Sequence, residues 1–349
     1  MLEASRIARK LSALVDLGLE RVDHAPVSTE SVRLDRKTHK VTSSRPGMGT
    51  LVSISALGRS QEKAQEAIGR AFEEMDRLIQ LLSRFEGSSA VSTLNSEGRI
   101  EGSPPELSHV VSNSLHYYGL SRGAFDITVE PVVDLFRERG DGVAQLAPKS
   151  PEIMEALDLV DSRNIEVSPR KLAFKKTGMG ITLDGIAKGY IVDAMAGVLD
   201  RHKVKNYLIN AGGDIRTAGT KENKLPWTVA VQDPSKRGVF PDSIHLRDAA
   251  VATSGSYEIY FDRDKLFHHI VSSQTGLSPN LSASVSVIAP SAMAADALAT
   301  SVFVMTPTDG VRFINSLPRC ECLIIDRGGC ELRSTGWKSA APVQQKAVP

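Results

Sequence analysis

Asp296 and Thr300, two oxygen-bearing side chains four residues apart, lie inside an otherwise apolar stretch, SASVSVIAPSAMAADALATSVFVM (residues 282–305). The first half alternates Val285, Val287 and Ala289 with Ser284, Ser286 and Ile288, which predicts a strand ended by Pro290. Ser291 is then a good N-cap for an alanine-rich helix, apolar almost all round and so expected to be buried. Positions i and i+4 share a helix face, so a carboxylate and a hydroxyl point into one interior space. A buried carboxylate needs a partner or a cation. As hard oxygen donors, the two suit Mg²⁺ or Ca²⁺ and not zinc. An Asp paired with an Arg, or capping a neighbouring backbone, reads equally well from the helix alone.

Other chemistry-bearing positions are spread along the chain. In TGMGITLDGIAKGYIVDAMAGVL, a strand Ile181-Thr182-Leu183 is expected to enter a turn at Asp184-Gly185, with a helix from about Ile186. Lys188 falls in the first helical turn, where the macrodipole disfavours a cation but exposed amides favour an anion or phosphate. The spacing is not that of a Walker loop. Ala211-Gly212-Gly213-Asp214 reads as a tight turn where backbone can approach a ligand, and it is not a dinucleotide-binding GxGxxG. Phe125-Asp126, at the entrance of an expected strand Ile127-Thr128-Val129, could stack on a ring and hold a hydroxyl, or be a core Phe and a turn Asp. His268 and His269 are adjacent, so on a strand only one can face a site as a general base.

The elements that position these groups follow from pattern. Ile68, Phe72, Met75, Ile79 and Leu82 recur at helical spacing over 61–82, and a second helix is expected over about 105–119. The stretch between them, LSRFEGSSAVSTLNSEG, reads as a polar loop. Strands are expected at Leu51–Ile54 beside Gly47 and Gly49, at Tyr207–Asn210, 225–233 and 244–254, with a hairpin in NIEVSPRKLAFKK, giving a largely antiparallel sheet. Residues 1–24 read as an amphipathic helix and 25–46 as an irregular polar linker. The body is placed at 45–337 and a tail at 338–349. Cys320, Cys322 and Cys330 lack the spacing of a metal site and read as core or edge thiols.

Bulk properties exclude several classes. The chain has 349 residues, 42 Lys+Arg against 41 Asp+Glu, and 5% aromatic residues, which favour neither nucleic acid nor an anionic membrane. No segment reaches membrane-spanning length, Asp16 interrupts the best apolar run near the start, and no lipobox-like cysteine follows. Taken as written, the sequence places the protein in the cytoplasm.

In combination, GMGT, LSRF…SSAVSTLN, GAFDITVEP, LDGIAKGYIVD, NAGGDIR, AVATSGSYEIYF, HHI…TG and SVIAPSAMAADALATSVFVM resemble the ApbE family of FAD:protein FMN transferases over about residues 45–337. The resemblance implies an α+β fold of two intimately joined lobes, with mostly antiparallel sheet, packed helices and FAD between the lobes. It implies Mg²⁺-dependent transfer of the FMN moiety of FAD to a threonine hydroxyl of a target protein, in an Asp-Gly/Ser-Ala/Gly-Thr-Ser/Thr-like motif, with AMP released. Met48, Phe85, Ala124, Phe125, Asp126, Thr182, Lys188 and Ile270 are implied to line the FAD site. Asp296, Thr300 and a backbone carbonyl near Gly185 are implied to hold Mg²⁺, and His269 is implied to be the base.

Three departures stand out. Ser272-Ser273 replaces the Asp-Pro of the family's His-Ile-x-Asp-Pro-x-Thr-Gly pattern, which points to a weaker base. Thr182 stands where many members carry Asp, with Asp184 two residues on. The family is commonly exported as a lipoprotein, and no such signal is visible here. An FAD pyrophosphatase, or an FAD-binding protein with weakened catalysis, is the alternative reading.

Overall fold

The computed structural model describes residues 28–340, apart from 37, 147, 232–233, 235–239, 256–259 and 263–266. The helix expected over residues 1–24 lies outside the described residues.

A nine-stranded sheet runs through the body in the order β1 (Ser28–Arg33), β2 (His39–Gly47), β3 (Thr50–Gly58), β7 (Asn206–Ala211), β8 (Asp214–Ala218), β11 (Ala250–Gly255), β12 (Ser282–Ala289), β13 (Glu321–Asp326) and β14 (Glu331–Arg333). Every described pairing is antiparallel. A two-stranded ribbon joins β9 (Trp227–Val231) to β10 (Asp242–Leu246), and a three-stranded sheet has the order β4 (Arg99–Glu101), β6 (Lys171–Phe174), β5 (Ile165–Ser168).

Eight α-helices accompany these strands among the described residues: α1 (Gln61–Leu82), α2 (Ala90–Glu97), α3 (Pro105–Leu120), α4 (Glu130–Arg139), α5 (Pro151–Leu157), α6 (Ala187–Arg201), α7 (Ala292–Val304) and α8 (Pro307–Asn315). α1 starts at Ser60, whose side chain accepts from the Lys63 amide, and buries Ile68, Phe72, Met75, Leu78 and Leu82. α6 packs against both α1 and α7.

Strand alternation assigns the two faces of the sheet. Ala250 and Ala252 of β11, with Cys322 and Ile324 of β13, face the main core under the helices. Val251 and Leu323 face the other side, where Val229, Ile244 and Trp337 cover them. The main core also takes in Leu107 and Val111 of α3 and Leu172 of β6, so the helical lobe and the sheet lobe are intimately joined. A smaller core gathers Phe136, Ile153, Phe261 and Val271.

Several local expectations are corrected. The stretch 25–46 is not an irregular linker where it is described, because β1 and most of β2 lie in it. β1 is exposed at every position and so carries no apolar alternation to read. The loop expected after α1 contains α2, capped by the Ser89 hydroxyl on the Ser92 amide. Ile127–Val129 is a 3-10 turn, since Asp126 accepts from the Thr128 amide and caps it. The single strand expected over 244–254 is two strands in different sheets. The body also continues past 337: the Ala340 amide donates to the Ser243 carbonyl, and the Ser339 hydroxyl donates to Asp242.

Cys320, Cys322 and Cys330 are free thiols, the first two buried. Among the described residues no helix is long and apolar enough to cross a membrane.

Candidate active site

α7 carries Asp296 and Thr300 on one face into a cleft between the lobes, as the four-residue spacing requires. Asp296 is 5% exposed, and its Oδ2 accepts from the Gly189 amide at 3.0 Å. The neighbouring helix reciprocates: Asp193 of α6 accepts from the Ala292 and Met293 amides at 3.0 and 2.9 Å. Helix N-termini have amides with no partner inside the helix and a positive end of the macrodipole. Each helix thus receives the other's carboxylate. The backbone-capping role left open for Asp296 is one it performs while also lining the cleft.

This exchange requires close contact. A Cβ on Gly189 would lie 2.3 Å from the Ala292 carbonyl oxygen, so only glycine allows α6 and α7 to meet there.

Thr300 sits against the turn before α6. A Cβ on Gly185 would lie 2.8 Å from Thr300 Oγ1, and the Ser254 hydroxyl is 3.3 Å from the same oxygen. The Gly185 backbone therefore presses on the one helix face that carries both oxygen donors. Among the described residues no three His, Cys, Asp or Glu side chains form a metal cage. The donors here are one carboxylate, one hydroxyl and nearby main chain. That set suits a hard cation completed by substrate oxygens and water.

The strand expected at Ile181–Leu183 does not form. Its backbone is satisfied by other partners: Asn95 accepts from the Ile181 amide and donates to the Ile181 carbonyl, both at 2.9 Å, and the Thr182 amide donates to the Ile127 carbonyl at 2.8 Å. Thr182 lines the cleft, and its hydroxyl accepts from the Asp184 amide. Asp184 stands at the mouth and accepts from Arg84 Nε at 3.1 Å. Desolvation opposes ionisation of Asp184, but Arg84, the Thr182 hydroxyl and nearby His269 outweigh it and hold the carboxyl below its usual range.

Of the two histidines, His269 lines the cleft and His268 turns away, fully buried. His268 Nε2 donates to the Pro279 carbonyl at 2.9 Å, and Nδ1 accepts from the Ile270 amide at 3.3 Å, the pattern of a neutral imidazole. Burial first, and His269 second, push its pKa down to about 4. Ile270 also lines the cleft. The Ser272-Ser273 turn is directed elsewhere: Ser273 Oγ donates to the Gly123 carbonyl at 2.7 Å, and the Ser272 hydroxyl accepts from the Gln274 amide.

Ala124, Phe125 and Asp126 border the cleft. Phe125 is 3% exposed and meets Tyr117 edge-on, as a core aromatic does. Asp126 accepts from the Thr128 amide and hydroxyl and from the Ser162 amide and hydroxyl, so protein donors already surround it. Burial raises its pKa against those bonds. Lys188 reaches Asp214 at 3.5 Å across the cleft. The helix-start amides beside Lys188 are not all exposed, since Asp296 takes that of Gly189.

Met48 and Phe85 do not border this cleft. Met48 lies in the β2–β3 turn with φ of 53°, next to Gly49 at 73°, and packs against the main core. Positive φ at both turn residues suits a two-residue hairpin. Phe85 is 63% exposed under the Arg84 guanidinium, which lies 4.6 Å from its ring centre. Gly212 abuts Thr50, so its small size serves packing between hairpin tips.

Sequence reasoning missed Arg84, Asp193 and Glu130, whose Oε1 lies 3.5 Å from Asn95 Nδ2, as parts of the site's support. No local pattern marks a long-range tie, and only the Ser-rich block around Asn95 could have drawn attention.

An α+β body with hard oxygen donors, a lysine and a histidine around one cleft defines a class of protein suited to a phosphate-bearing ligand. Comparison narrows the class. Residues 48–324 match the ApbE family, and the chain belongs to it. A protein of Vibrio cholerae named FAD:protein FMN transferase is 30% identical over 316 residues, covering 87% of this chain and 93% of that one. A Treponema pallidum protein of the same name is 30% identical over 305 residues, covering 80% and 82%. The crystal structure of the ApbE protein from Thermotoga maritima superposes with a TM-score of 0.75 at 30% identity, covering 88% and 97%.

Proposed function

We propose that the cleft binds FAD and, with Mg²⁺, transfers its FMN moiety to a threonine hydroxyl of a target protein, releasing AMP. The observation that carries this reading is the meeting of Asp296, Thr300 and the Gly185 turn in a cleft that also holds Lys188 and His269.

Displacement at phosphorus needs positioning and charge neutralisation more than covalent chemistry by the protein. Asp296, Thr300 and the Gly185 main chain would hold the cation, with its remaining positions left to phosphate oxygens and water. When bound, Mg²⁺ supplies charge stabilisation at those oxygens. Lys188 adds positive charge at the cleft wall. His269 accepts the threonine proton as the new phosphoester bond forms and the bond to AMP breaks. The target is a protein with an Asp-Gly/Ser-Ala/Gly-Thr-Ser/Thr-like segment.

The test is intact mass spectrometry of an acceptor carrying Asp-Gly-Ala-Thr-Ser, incubated with protein, FAD and Mg²⁺ while nucleotides are followed. An FMN-sized increment with AMP release is the expected result. AMP and free FMN without an increment would make the protein a pyrophosphatase. Retained FAD with no AMP would make it a binding protein.

A further inference from the structure

Two residues of one sequence block, LSRFEGSSAVSTLN, grip the same irregular segment at its two ends. Asn95 holds Ile181 through both its amide and its carbonyl, as a neighbouring strand would. Ile181 is fully buried, so without Asn95 those main-chain groups would face neither water nor a strand. Three residues on, Arg84 holds Asp184 at 3.1 Å and reaches back to Asp134 of α4 at 3.4 Å. The Arg84 side chain is only 8% exposed and stacks on Phe85. A planar guanidinium with several donors can serve two carboxylates at once, which an ammonium cannot do in the same geometry.

We propose that Arg84 and Asn95 are positioning residues: they fix the Ile181–Gly185 backbone so that the Gly185 main chain meets Thr300 and Asp296. The inference rests on the reading of the cleft as a Mg²⁺-dependent FAD site. Neither residue lines the cleft. They act through a segment that has no strand partner of its own, and the side-chain grip substitutes for a sheet. A strand there would direct its carbonyls into a ladder. The irregular segment instead gives its Leu183 carbonyl to the Ile186 and Ala187 amides, so α6 starts directly after the clamp.

The test uses Arg84→Met, Arg84→Lys and Asn95→Asp in the full chain. Asn95→Asp keeps the shape but sets a carboxylate against the Ile181 carbonyl. Three readouts are taken: the thermal midpoint, amide hydrogen exchange of a peptide spanning 179–189 without ligand, and FAD affinity with and without Mg²⁺. Positioning predicts faster exchange confined to 181–186 and a loss of roughly tenfold in Mg²⁺-dependent FAD affinity, the usual size of an outer-sphere effect. Arg84→Lys should fall between wild type and Arg84→Met. The losses from Arg84→Met and Asp184→Asn should be non-additive, because both break one contact.

Wild-type exchange and affinity in folded variants would overturn the inference, as would strict additivity. If Arg84→Met does not fold, Arg84→Lys decides, and wild-type affinity there overturns it. A wild-type protein whose FAD binding ignores Mg²⁺ would remove the proposed function and this inference with it. A responsive wild type with insensitive variants would remove the inference alone.

Discussion

The cleft has two kinds of wall. On one side Asp296, Thr300 and Lys188 stand on α6 and α7, whose starts are locked by an exchange of carboxylates and amides and by the absence of a side chain at Gly189. On the other side Thr182, Asp184 and Gly185 stand on irregular backbone held by side chains from α2, α4 and the loop after α1. The difference has a physical consequence. A wall fixed by main-chain contact cannot shift without parting two buried helices. A wall held largely by side chains reaching in from other elements can shift by one substitution or one proton.

The largest effect is expected where the helical wall carries its charge. Asp296→Asn retains an oxygen for the Gly189 amide but removes the anionic donor. Mg²⁺-dependent turnover should fall by roughly a thousandfold, about 4 kcal/mol, with the melting temperature nearly unchanged. Full activity in that variant, or wild-type activity indifferent to chelator, would remove the metal role. Gly189→Ala probes the main-chain lock instead. Its methyl would overlap the Ala292 main-chain carbonyl, which cannot swing aside as a side chain could, at a cost of about 3 kcal/mol in urea unfolding. Tolerance of alanine would mean the two walls are equally yielding.

The same contrast explains what could be read from sequence. The strand and helix of 282–305 were legible because alternation, Pro290, Ser291 and the i, i+4 pair are all local signals. α1 was legible for the same reason. The irregular wall was not. Ile181–Leu183 has a strand's apolar pattern, yet its partner is the side chain of Asn95, 86 residues away. The Arg84–Asp184 pair spans 100 residues. Ile127–Val129 is β-branched, but the cap supplied by Asp126 overrides propensity. Apart from Met48 and Phe85, the residues named from the resemblance border one cleft. The resemblance could not show that Ser272-Ser273 points away from His269, or that Asp184 stands near it.

The smallest expected effect lies behind the irregular wall, at Glu130. Its Oε2 packs where a Cβ on Gly180 would sit, and its Oε1 is 3.5 Å from Asn95 Nδ2. Burial first, and the Asp134 charge second, raise its pKa from 4.5 to about 7, against the pull of Arg84 and Arg137. The folded protein therefore binds more protons than the unfolded chain between those values, and stability falls as pH rises through that window. His268 has the opposite sign. Its pKa is lowered from 6.5 to about 4, so its contribution is complete above 6.5 and is lost as pH falls through 4. Glu130→Gln mimics the protonated acid. In urea unfolding at several pH values it should remove the decline between about 4.5 and 7, gaining about 1 kcal/mol at pH 8 after allowance for partial exposure, and so unmask the opposing His268-dependent rise in the overlapping window from about 4 to 6.5. A variant that loses stability at pH 8 would show that the Glu130 charge supports the irregular wall, and the asymmetry between the walls would then rest on Arg84 and Asn95 alone.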